Sequence, residues 1–134
     1  PLDTILNAVA IPRVRAGMEI ARKRPAKALE WCKSATPYER AYPEVSYLRG
    51  LAYLQGRAGA EAMAEFEKIL NHKGVSLLRP TYPAAFVGLA RAAAIAGDVA
   101  KSRRAYQDFL ALWKDADPNI PLLVAARQEY ARLK

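Results

Sequence analysis

Apolar residues along this 134-residue chain recur at intervals of three and four positions, which is the spacing of one face of an α-helix. The clearest stretch follows Pro43, and its apolar residues are Tyr47, Leu48, Leu51, Tyr53 and Leu54. Gly56 and Gly59 interrupt the pattern, which then resumes with Ala62, Met63, Phe66, Ile69 and Leu70. Because glycine favours helix ends and tight turns, this stretch predicts two helices joined by a short turn.

The helix–turn–helix pattern recurs along the chain. Phe66 and Tyr106 are 40 residues apart, and Ala28 precedes Ala62 by 34 residues. Self-similarity at periods of this length is typical of stacked helical repeats. The sequence therefore predicts that several similar helix pairs pack one after another.

These periods place the whole chain in a single domain with three repeats and a last helix. The predicted segments are repeat 1 (about 11–40), repeat 2 (about 42–73), repeat 3 (about 82–116) and a capping helix (about 120–133). The turn of repeat 3 is predicted at Gly97, followed by Asp98 as a helix N-cap. Residues 1–10 are read as the tail of a preceding helix, and a start at Pro1 suggests a fragment of a larger protein.

Composition favours a packed helical domain and leaves one alternative open. Hydrophobic residues make up 52% and charged residues 25% of the chain, and alanine is abundant. The net charge of +8 is concentrated at the two ends, with eight Lys/Arg against four acids in residues 1–40. A basic surface is compatible with nucleic-acid binding, although an ordinary solvated helix surface explains it as well. The sequence has no run of 18 apolar residues, so we expect no membrane span.

Candidate catalytic residues are few. His72 is the single histidine and lies at a predicted helix end, where an imidazole can interact with the last carbonyls. Cys32 is the single cysteine and lies on an apolar helix face, as core cysteines do. The sequence shows neither metal-ligand spacing nor a phosphate-binding loop nor the protein-kinase motifs. We therefore expect no catalytic site, no metal and no cofactor in this chain.

The repeats resemble the tetratricopeptide repeat. That family places a small residue, an aromatic, an alanine and a second aromatic at fixed offsets, and in repeat 2 these are Gly50, Tyr53, Ala62 and Phe66. Repeat 3 retains Ala90, Gly97 and Tyr106, with Ala93 and Ser102 at the other positions, and repeat 1 retains Ala28, with Cys32 in an aromatic position. The resemblance implies an all-α, right-handed solenoid of about three helix pairs plus a C-terminal capping helix.

A narrower resemblance covers most of the chain. The stretches "ATPYERAYPEVSYLRGLAYL" and "AYQDFLALWKDADPNIPLL" are similar to the C-terminal repeat region of bacterial membrane-tethered serine/threonine kinases. A similar tail follows the winged-helix DNA-binding domain of some transmembrane regulators. Either topology implies that this tail lies across the membrane from the kinase or DNA-binding domain.

In tetratricopeptide proteins the first helix of each pair lines a concave groove that binds a partner. The corresponding residues here are Arg13, Ile20, Glu44, Tyr47, Leu51, Leu54, Gln55, Val87, Arg91 and Ile95. They predict an apolar floor with an arginine at each end. The function that this implies is protein–protein interaction, with a peptide, a protein segment or a second copy of the chain as partner. Two alternatives remain: nucleic-acid binding through the basic ends, and a purely structural spacer whose groove is filled within the full-length protein.

Overall fold

The computed structural model describes residues 2–72, 74 and 79–133, and all regular structure in these residues is helical. The helices are α1 (Leu2–Ile5), α2 (Ile11–Ala21), α3 (Pro25–Cys32), α4 (Glu44–Gln55), α5 (Gly59–Asn71), α6 (Thr81–Ala96), α7 (Val99–Leu112) and α8 (Pro121–Arg132). A π-helical turn (Leu6–Ala10) joins α1 to α2, and a 3-10 helix (Lys33–Tyr38) follows α3. The prediction of an all-α protein is confirmed, and part of the predicted connector between repeats 2 and 3 lies outside the described residues.

Residues 2–21 form one continuous helical rod, and not the tail of a separate helix. The backbone stays in the right-handed helical region at Ile5 and at Ala10, so neither junction breaks the rod. The π-turn lies just before Pro12, which has no N–H to donate to the carbonyl four residues earlier. Ser34 Oγ donates to that carbonyl, on Ala8, at 3.2 Å. The proline therefore explains both the irregular turn and its side-chain partner.

The turns between paired helices lie at the predicted positions, but in the turn between α4 and α5 the left-handed residue is not a glycine. Gly97 ends α6 in the left-handed conformation, with φ of 86°, and the Asp98 carboxylate accepts from the Lys101 N–H at 3.0 Å. Between α4 and α5 the left-handed residue is Arg57, and Gly56 has an ordinary φ. Gly59 serves packing instead, because a Cβ on it would lie 2.8 Å from the Ala92 carbonyl oxygen of α6.

Each helix from α2 to α8 packs against the next one along the chain. In addition, α2 contacts α4, and α4 contacts α6. The first helices of successive pairs therefore lie next to one another and share one surface of the molecule. This arrangement brings together residues that are more than 30 positions apart in sequence.

Phe66 is the central aromatic residue of the fold. Its side chain is fully buried, and its ring lies between α4 and α6 where each presents a glycine. A Cβ on Gly50 would lie 2.6 Å from the ring, and a Cβ on Gly88 would lie 2.5 Å from it. Tyr47 meets the ring edge-on, with 5.9 Å between the ring centroids. The sequence pattern identified Gly50 and Phe66, but it gave no role to Gly88.

The other residues of the predicted repeat signature are mostly buried. Ala28, Ala62, Ala90 and Tyr106 lie in the core, whereas Tyr53 is partly exposed. Ser102, which stands where repeat 2 has Ala62, is also fully buried, and its hydroxyl donates to the Ala90 carbonyl at 2.8 Å. A serine can replace the alanine there because its hydroxyl has a partner.

Replacing Ala62 with leucine is expected to lower the free energy of unfolding by about 1–3 kcal/mol, since the larger side chain must force the core apart. Ala62 is fully buried on α5. The matched control is Ala64→Leu on the same helix, where the side chain is exposed and the change should stay within about 0.5 kcal/mol. Chemical denaturation of both variants measures the difference, and equal effects would show that Ala62 does not lie at a close helix contact.

Candidate partner-binding surface

The surface shared by α2 and α4 contains a shallow depression of about 410 Å³. Three predicted groove residues, Arg13, Glu44 and Tyr47, line it. Ala10, Val14 and Leu48 complete the lining, although the sequence pattern did not select them. The depression combines apolar side chains with one cation and one carboxylate, so it can contact an apolar anchor and a polar group of a ligand side by side.

Glu44 lies between two arginines at this end of the surface. Arg79 donates to its carboxylate at 2.6 Å, and the Arg13 guanidinium lies 3.8 Å from its other oxygen. Arg13 also lies over the Tyr42 ring, 5.9 Å from the ring centroid. Arg13 is therefore held in place, but its charge is shared with Glu44 and is not free.

Arg91, at the other predicted end, is held even more firmly. Its guanidinium donates two hydrogen bonds to the Glu129 carboxylate of α8, at 2.8 and 2.9 Å. The Tyr106 hydroxyl donates to the same carboxylate at 2.5 Å. Burial would raise the pKa of Glu129, but these hydrogen bonds outweigh burial and hold that pKa below its usual value. Glu129 is therefore ionised at neutral pH, and its hydrogen bonds tie α8 to α6 and α7.

The prediction of an apolar floor with an arginine at each end did not include partners for these arginines. Both Arg13 and Arg91 have carboxylate partners within the chain. Val87 does not line the groove as predicted, because it is 1% exposed and packs in the core with Leu123. The repeat spacing does not predict that Glu44 pairs with Arg13. It does not predict that Glu129 pairs with Arg91 either.

The remaining predicted groove residues are partly exposed. Leu51 and Leu54 pack against the cluster that contains Phe66, and Ile95 is partly exposed on α6. The Gln55 side-chain amide donates to the Ile20 carbonyl at 2.8 Å, which links α4 to the end of α2. Burial raises the pKa of the half-buried Tyr47, with a smaller opposing effect of nearby Arg91. Tyr47 therefore remains a neutral phenol at physiological pH.

The residues considered for chemistry have structural roles. His72 is the C-cap of α5, and its Nδ1 lies 2.7 Å from the Lys68 carbonyl oxygen, as expected for a residue at a helix end. Cys32 is buried, and burial raises the pKa of its thiol to about 11, so the thiolate is disfavoured. Within the described residues, no group of three or more His, Cys, Asp or Glu side chains is placed to hold a metal ion.

The basic stretches are partly neutralised as well. Arg22 and Arg24 contact the carboxylate of Glu19 at 3.2 and 3.9 Å. Lys101 contacts Glu67 at 2.9 Å, which links α7 to α5. These pairs reduce the local positive potential that the sequence suggests.

A second cluster of charges was not anticipated from the sequence. Arg49 of α4 is buried and donates to Glu65 of α5 at 3.0 Å, to Thr36 Oγ1 at 2.8 Å and to Glu39. Lys68 completes the cluster, 3.2 Å from Glu65 and 3.6 Å from Glu39. The cluster joins the 3-10 helix region to α4 and α5, so it is a structural feature of the fold.

Comparison with models of known protein families, with curated proteins and with solved structures finds no match for this chain. Among the described helices, none has both the length and the apolar character that crossing a bilayer requires. The geometry of the surface itself is therefore the basis for the functional inference.

Proposed function

We propose that this chain is a tetratricopeptide-like interaction module whose first helices α2, α4 and α6 form a concave surface that binds a protein segment. In this proposal the fold is a right-handed solenoid of about three helix pairs, and α8 is its capping helix. The observation that carries the proposal is the depression lined by Arg13, Glu44 and Tyr47 on the face that α2 and α4 share. The proposal assigns no catalytic role to the chain.

The order of helix contacts supports this architecture. Each helix packs on the next, α2 also contacts α4, and α4 also contacts α6. Stacked helix pairs have this pattern, since every repeat contacts its neighbours and the first helices line one surface. The buried small residues at Gly50, Ala62 and Ala90 agree with the family signature.

The chemistry of the surface suggests what the segment looks like. Tyr47 and Leu48 offer apolar contact area, while Arg13 and Glu44 offer a cation and an anion that already pair with each other. A segment with an apolar side chain as anchor and a flanking acid can exchange partners with this pair. Tyrosine is frequent among binding hot spots, so Tyr47 should contribute most of the affinity.

The experiment is a selection of 12-residue peptides from a random display library on the purified chain, followed by fluorescence anisotropy with the selected peptides. We expect Tyr47→Ala to weaken binding at least tenfold, because it removes the largest side chain at the depression. The control is Leu112→Ala, which changes an exposed apolar residue on α7 away from the depression. Affinities are compared well below the melting temperature of each variant, since Tyr47 also packs against Phe66.

Two results would count against the proposal. One is a selection that enriches no peptide. The other is a set of enriched peptides that bind Tyr47→Ala and the parent chain equally well, because the ligand would then lie elsewhere on the molecule.

We further propose that the parent protein is a membrane-tethered bacterial serine/threonine kinase, with a winged-helix transmembrane regulator as the alternative. The support for this is the sequence similarity at "AYQDFLALWKDADPNIPLL" and "ATPYERAYPEVSYLRGLAYL". The coding sequence immediately upstream tests it directly. A kinase domain followed by an apolar span agrees with the proposal, and a winged-helix domain followed by such a span agrees with the alternative. Any other upstream domain contradicts both.

A further inference from the structure

The first helical rod carries a strip of exposed apolar residues. The strip consists of Leu6, Ile11, Val14 and Met18, whose exposed fractions are between 41% and 65%. Scattered exposed apolar residues are ordinary in soluble proteins. Four of them in a line along one helix are not scattered, and such a continuous patch marks a surface that a partner covers.

The local geometry explains why the strip is continuous. Ile11, Val14 and Met18 are spaced by three and four residues, so they share one face of α2. Leu6 joins this face through the π-turn, in which the Ile11 N–H donates to the Leu6 carbonyl five residues earlier. The opposite face of α2 carries Pro12, Ala16 and Glu19, which are buried against the molecule.

The strip contains an apolar recess of the kind that receives a side chain of a second helix in a packed helix pair. Leu6, Ala10, Ile11, Val14 and Arg15 surround an open depression of about 240 Å³. In packed helix pairs, a side chain of one helix inserts into a hole formed by four residues of the other. Val14, which is 65% exposed, stands at the edge of this recess. The same strip therefore offers both an inserting side chain and a recess to receive one.

We propose that this strip is the interface of a symmetric, antiparallel dimer of the chain, in which Val14 of each copy inserts into the recess of the other. A surface that contains both complementary parts can pair with itself across a two-fold axis. With the axis between Ile11 and Val14, these two residues of opposite copies face each other. The strip adjoins the depression at Tyr47, and Ala10 and Val14 line both, but the proposal does not depend on a ligand bound at Tyr47.

The charges of the rod favour the antiparallel orientation. Its first half, residues 2–12, contains Asp3 and no basic residue, whereas residues 13–24 hold Glu19 and five cations, Arg13, Arg15, Arg22, Lys23 and Arg24. An antiparallel pair brings the exposed Asp3 of one copy level with the exposed Arg22 of the other. A parallel pair would place the two basic ends side by side, which is unfavourable.

The interface is small, so the dimer should be weak. The rod is about 30 Å long and offers a single helix face. The area that each copy would bury is therefore less than the roughly 800 Å² per partner of a standard interface. We expect a dissociation constant on the order of 10–100 µM, in rapid exchange.

Sedimentation equilibrium of the 134-residue chain from about 5 to about 300 µM tests the proposal. Val14→Lys should weaken the dimer at least tenfold, because it places two cations at the axis of a basic protein. Leu112→Lys is the matched control, since Leu112 is also apolar and 50% exposed but lies on α7. Asp3→Lys should weaken the dimer more at low salt than at high salt.

Cross-linking tests the orientation in the same protein. The variant carries Cys32→Ala together with Ile11→Cys and Val14→Cys. In the proposed dimer a disulfide should form between position 11 of one copy and position 14 of the other. A chain that stays monomeric at about 300 µM would overturn the proposal. So would a dimer that Val14→Lys leaves intact, or one that Leu112→Lys weakens to the same degree.

Discussion

Replacing Phe66 with alanine is expected to lower the free energy of unfolding by about 3–5 kcal/mol. The ring is fully buried between α4 and α6, and Gly50 and Gly88, which face it there, have no side chains that could move into the space. A loss of this size is a large part of the total stability of a small domain, which is about 5–15 kcal/mol. Denaturant unfolding followed by circular dichroism measures it, and Phe66→Leu provides a milder variant if the alanine variant does not fold.

The two glycines allow a sharper version of this prediction. In the parent chain Gly88→Ala should destabilise, since its Cβ would lie 2.5 Å from the Phe66 ring. When leucine replaces Phe66, the added methyl group has room, and the usual advantage of alanine over glycine in a helix, about 1 kcal/mol, should appear instead. The two substitutions are therefore expected to be strongly non-additive. Additive effects would mean that the ring does not contact Gly88.

The second large effect is expected for Arg49→Met, at about 3–5 kcal/mol of lost stability near neutral pH. Arg49 is buried and donates to Glu65, Glu39 and Thr36, so its removal leaves a buried carboxylate with Lys68 as its remaining charged partner. Burial would lower the pKa of Arg49, but its two carboxylate partners outweigh burial and raise it, so the guanidinium stays charged. The same denaturation experiment measures the loss.

A double variant separates the cost of the unpaired carboxylate from the loss of side-chain packing. Arg49→Met combined with Glu65→Leu removes both buried charges, so it should recover much of the stability that the single variant loses. If the double variant is as unstable as the sum of the two single variants, then the ion pair is not the reason for the effect.

The effect of Arg49→Met should also depend on pH. Burial would raise the pKa of Glu39, but the hydrogen bond and charge of Arg49 outweigh burial and lower that pKa from 4.5. A lowered carboxyl pKa contributes stability at pH values above about 4.5, and this contribution is lost as the pH falls through the lowered value. The stability difference between the parent chain and Arg49→Met should therefore shrink in acid. A difference that is constant from neutral pH to pH 3 would contradict this.

The candidate surface shows where sequence reasoning succeeded and where it stopped. The resemblance to the tetratricopeptide repeat placed Arg13, Glu44 and Tyr47 on groove-lining helices, and they line the depression together. The sequence could not show that Arg91 is paired, because its partner Glu129 is 38 residues away on α8. Nor could it show that Val87 is covered, because that depends on where α8 packs. Both corrections arise from contacts between helices that are distant in sequence.

By itself, the sequence determined the local structure of this protein. The three-and-four spacing of apolar residues, Pro25 at the start of α3 and Asp98 at the start of α7 fix helices and their ends through interactions between near neighbours. Only the tertiary structure decided which faces remain open and which charges are free. Gly88 accommodates the Phe66 ring, Glu129 neutralises Arg91, and the outer face of α2 is left uncovered. These outcomes depend on how whole helices pack, and the spacing of residues along one helix carries no information about its neighbours.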